Sequence, residues 1–76
     1  SSVEVFVAKE KLTHTLVFVK KFKDFKTMSS EFRECVLTQI DKTLSLQKHG
    51  AKPVTVRILK HLIADSHLYV VMQQCQ

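Results

Sequence analysis

The chain has 76 residues, 45% apolar and 25% charged, with twelve Lys or Arg against seven Asp or Glu for a formal net charge of +5. So short a chain buries only about 60% of its unfolded surface, which gives a single small domain over residues 1–76 and excludes a deep enclosed active site. The apolar content excludes disorder, and no apolar run nears the roughly 18 residues of a membrane span, because Leu16–Val19 ends at Lys20 and Lys21.

Residues 3–8 alternate, with Val3, Val5 and Val7 on one side and Glu4, Phe6 and Ala8 on the other, which predicts a strand. Lys9-Glu10-Lys11 breaks it. From about Thr13 to Phe22 the chain is dense in β-branched and aromatic residues, so a second strand follows and the two form an antiparallel hairpin. In the second strand Val17 and Val19 oppose Leu16 and Phe18, so both faces are apolar, the pattern of a strand covered on both sides.

A helix is predicted over about residues 30–48. Ser29 or Ser30 supplies an N-cap oxygen, and Glu31 and Glu34 lie near the positive end of the helix dipole. Phe32, Val36, Ile40 and Leu44, with Cys35 and Leu37 beside them, make one buried stripe. Lys48 and His49 suit the C-terminus, Gly50 the left-handed position after it, and Pro53 stops continuation.

Residues 54–63 read two ways. Val54, Val56 and Ile58 alternate as in a strand, whereas Val56, Leu59, Leu62 and Ile63 also fit a short helix. The strand is preferred, followed by a turn at Ala64-Asp65-Ser66 and a last strand over His67–Gln73. The expected architecture is α+β in two layers, one main helix on a small antiparallel sheet in the order β-β-α-β-β, with β-β-α-α-β as the alternative.

Catalytic and metal chemistry have little support in the residues. His61 and His67 have the spacing of a zinc pair, but the remaining ligands would have to come from His14, Cys35 or Cys75, with no Cys pair present. Cys35 falls in the helix stripe, where an inert core thiol is expected, and the seven acids form no acid–base constellation. One glycine excludes a Gly-rich phosphate loop. The expectation is therefore a protein that is not an enzyme, with no cofactor, metal or small-molecule substrate and no membrane partner.

Charge is more informative. Residues 1–27 carry six lysines against three acids, and residues 48–76 four cations against one, while the helix is nearly neutral. Lys20, Lys21, Lys23 and Lys26, interleaved with Phe18, Phe22 and Phe25, form the densest cluster, and with Arg57 and Lys60 they make a candidate nucleic-acid surface. The same lysines also suit a merely solvated segment that resists aggregation.

One helix covers only one face of a four-stranded sheet. If Val3, Val5, Val7, Val17 and Val19 meet the helix, the other face shows Phe6, Leu16, Phe18, Leu59, Tyr69 and Val71, flanked by Lys20, Arg57, His61 and His67. That patch is larger than a soluble monomer normally exposes, so a homodimer, a partner protein or unpaired bases are expected to cover it. The functional expectation is a binding module that associates through its sheet and presents a basic surface to nucleic acid; the alternative is a pure protein adaptor. Ser1-Ser2-Val3-Glu4 has no secretory character and two cysteines are too few for a disulfide-built domain, so an intracellular setting with free thiols is expected.

Overall fold

A computed structural model describes residues 3–12, 14–49 and 56–74, with Val56 by its backbone alone. The elements run β1 (Val3–Lys9), β2 (Leu16–Phe22), a 3-10 turn (Phe25–Thr27), α1 (Ser30–Lys48), β3 (Val56–Ala64) and β4 (His67–Gln74). This is the β-β-α-β-β α+β arrangement, and residues 56–63 form a strand, not a helix. The sheet is antiparallel throughout, in the order β1-β2-β4-β3.

The helix begins where its sequence signals place it, with the Phe32 N–H donating to Ser29 Oγ at 3.2 Å, a cap that contributes about 1 kcal/mol. It ends at Lys48 with His49 as C-cap. Gly50, Pro53, Val54 and Cys75 lie outside the described residues.

Because directly paired residues share a face, the register assigns each paired strand position. Phe22 pairs with Leu68 and with Val3, Lys20 with Val70, and Phe18 with Met72 and Val7. The helix-side face therefore carries Val3, Val5 and Val7 with Leu16, Phe18, Lys20 and Phe22, then Leu68, Val70 and Met72. On β3 it carries Ile58, then, past a bulge at Leu59, His61 and Ile63. The core lies on this side, where Phe22, Phe25, Ile40, Ile58, Leu68 and Val70 are buried.

Three sequence expectations change here. Val17 and Val19 point away from the helix, while Leu16, Phe18 and Lys20 point toward its side. The cause is the hairpin register, which sets Val7 opposite Phe18 and so aligns odd positions of β1 with even positions of β2. Cys35 is an exposed thiol and Phe32 is 42% exposed, although helical spacing puts both in the buried stripe. The helix lies toward β3, where Gln47 donates from Nε2 to the Ile58 carbonyl (3.0 Å) and accepts the Ile58 N–H at Oε1 (2.6 Å). Phe32 and Cys35 instead border an open groove with Lys20 and Phe22, and Val5 and Val7 are about 60% exposed.

Candidate nucleic-acid interface

The face away from the helix is built in cross-strand rows. Arg57, Gln73, Val17 and Ala8 form one; Lys60, Val71, Val19 and Phe6 the next; Leu62, Tyr69, Lys21 and Glu4 the third. Ala64 and His67 close the end beside the β3–β4 turn. An apolar and aromatic centre is thus bordered by Arg57 and Lys60 on β3 and carries Lys21 on β2. The bulge matters for this placement. After Ile58 the chain gains one residue at Leu59, so Lys60 pairs with Val71 and joins this face instead of following Ile58 toward the helix.

Tyr69 is the best-defined part. The Lys21 ammonium stands 5.8 Å from its ring centroid, a cation–π contact, and the His67 ring meets it edge-on at 6.4 Å and 86°. Lys21 also reaches Glu4 at 4.0 Å, a partly solvated pair of modest strength. His67 is fixed in turn, since its Nδ1 accepts the Asp24 N–H at 2.9 Å. This bond links the end of β4 to the loop after β2, where Asp24 takes a left-handed conformation (φ 54°) and its carbonyl accepts from Thr27 Oγ1 at 2.8 Å.

Of the six cations expected to face nucleic acid, the register brings Lys21, Arg57 and Lys60 together on the open face. Lys20 lies on the helix side, 5.3 Å from the Phe22 ring centroid. Lys23 and Lys26 sit beyond the strand end, where the Lys26 N–H donates to the Ser66 carbonyl at 3.2 Å. Of the six apolar candidates, Phe6, Tyr69 and Val71 share the open face, Leu16 and Phe18 belong to the other, and Leu59 is the extra residue of the bulge, 48% exposed. Val17, Val19, Leu62 and Gln73 also belong to the surface, and sequence reasoning misses them. The alternation of Leu68, Val70 and Met72 with His67, Tyr69, Val71 and Gln73 in the last strand is the signal that separates the faces.

A second feature is a groove of about 380 Å³ between α1 and β2, bordered by Phe32, Cys35, Val36, Lys20 and Phe22. It contains no carboxylate or imidazole among its described lining residues. His61 and His67 lie on opposite faces, and among the described residues no three His, Cys, Asp or Glu side chains gather as a metal site. No described helix is long and apolar enough to cross a membrane. No family model, curated protein or solved structure matches the chain.

Proposed function

We propose that this chain is a non-catalytic binding module that associates through its sheet and uses its open face to bind single-stranded nucleic acid. The supporting observation is the shared face of Phe6 and Tyr69 with Lys21, Arg57 and Lys60. Aromatic rings stack on unpaired bases of any sequence, and ammonium and guanidinium groups displace condensed counterions from phosphates. The net charge of +5 favours the same class of polyanion. The exposed Cys35 thiol fits a reducing, intracellular compartment.

Salt-dependent titration of a single-stranded RNA tests this reading. Replacing Lys21, Arg57 and Lys60 together with Gln is expected to weaken binding by about tenfold or more and to flatten the slope of log K against log salt by roughly 0.7 per lost phosphate contact. Lys20→Gln, on the helix side, leaves both nearly unchanged. Equal loss from Lys20→Gln, or no binding at low salt, overturns the assignment. The apolar groove beside α1 favours a second reading, a protein adaptor, which absence of nucleic-acid binding would leave standing.

A further inference from the structure

The two edges of the sheet differ. At β3, Gln47 occupies both outward backbone groups of Ile58. At β1 no described element lies alongside, and Val5, Phe6 and Val7 are 59%, 49% and 60% exposed. Natural edge strands are usually blunted by charge, proline or a covering element. The centre of β1 has none of these.

The outward groups can be named. The Glu10 N–H donates to the Thr15 carbonyl at 2.8 Å, so this is a hydrogen-bonded pair at the end of the hairpin. Antiparallel alternation then turns the backbone groups of Ala8 and Phe6 toward β2 and those of Val5, Val7 and Lys9 away from it.

We infer that β1 pairs antiparallel with β1 of a second copy, about a two-fold axis at Phe6 and perpendicular to the sheet. Such an axis keeps both helices on one face, so odd positions must meet odd positions. Only the register centred on Phe6 pairs the whole of Val3–Lys9 with itself. Val5 exchanges backbone hydrogen bonds with Val7 of the second copy, Glu4 faces Ala8, Val3 faces Lys9, and the two Phe6 rings meet on the open face. Centring on Val7 would set Glu4 against Glu10, a like-charge pair. Centring on Val5 leaves Ala8 and Lys9 beyond the strand's own partners. The strand is thus complementary to itself, which selects a second copy over an unrelated segment. The result is one continuous antiparallel sheet across both copies, with the two open faces joined along the Phe6 seam.

This deepens the self-association in the proposed function and does not depend on nucleic-acid binding. Its test begins in a Cys35→Ser, Cys75→Ser background. Opposed residues of a non-hydrogen-bonded pair have Cα atoms about 4.5 Å apart, within disulfide reach. Under mild oxidation Phe6→Cys is expected to form a disulfide-linked dimer, while Val5→Cys and Val7→Cys alone do not. Sedimentation of the native chain across a concentration series should show a monomer–dimer equilibrium, and Phe6→Glu should weaken it by about tenfold or more. Phe6 is half exposed, and circular dichroism verifies that its variants keep the fold. A strict monomer, or crosslinking through Val5 or Val7 in place of Phe6, overturns the proposal. A monomer that still binds RNA defeats the edge pairing alone, whereas a dimer indifferent to RNA defeats the nucleic-acid reading alone.

Discussion

Asp65 and Ser66 join β3 to β4 with φ values of 50° and 69°, directly between the paired residues Ala64 and His67. A two-residue hairpin loop with both central residues at positive φ matches the twist of its strands, but it suits an Asn-Gly pair better than Asp and Ser. An L-residue other than glycine, Asn or Asp carries about 1–2 kcal/mol of steric cost there. The double substitution Asp65→Asn, Ser66→Gly is therefore expected to stabilise the domain by about 1 kcal/mol, a rise in Tm of roughly 4–8 °C for this size, read by thermal melting. The turn is visible in the sequence because Asp and Ser compete with regular structure through their own side chains. Its length is not, since Ala64 belongs to β3 and only two residues turn. Cys35 shows the same limit at a single position. Helical spacing places it beside the buried stripe, but how far that stripe is covered depends on where the helix sits over the sheet.

At the scale of elements, β3 fits both a strand and a helical period and is decided by its pairing with β4, whereas the other strands and the helix can be read from period and punctuation, because period two and period 3.6 are properties of the segment alone. The facing of β2 cannot. Its two sides are equally apolar, and only pairing with β4, where Leu68 and Val70 are buried, assigns Phe18 to the helix side and Val19 to the open face. The bulge at Leu59 is equally hidden, since an extra residue shows only against its partner strand. Gln47 is another pairing that crosses elements. Its amide makes both hydrogen bonds that a neighbouring strand would make at Ile58, in a partly buried setting. Gln47→Ala is expected to cost about 1–3 kcal/mol in urea denaturation, since both Ile58 groups lose their partner. Gln47→Glu keeps one acceptor for the Ile58 N–H but turns a carboxylate on the Ile58 carbonyl, and should recover little of that loss.

Viewed whole, the domain measures 35 × 28 × 18 Å, a thin slab of one helix on one sheet. Its buried core among the described residues is Phe22, Phe25, Ile40, Ile58, Leu68 and Val70. Domains of this size rarely hold more than about 3–5 kcal/mol from a single core. Ile40 is the helix residue buried within it, and Ile40→Ala removes about 2–5 kcal/mol, a large fraction of the total. The variant is expected to be substantially unfolded at 25 °C, visible as loss of cooperative denaturation.

The unequal sheet edges also set a limit on growth. In the language of step-growth polymerisation, a subunit with two reactive ends makes chains and a subunit with one makes only pairs. If β1 pairs as inferred above, the Gln47 amide narrows the second end by closing β3 at Ile58, although Ile63 further along that strand stays 46% exposed. Loss of that side chain would free the Ile58 N–H and carbonyl and widen the β3 end at that point. On that reading Gln47 acts as a partial chain stopper at the β3 edge.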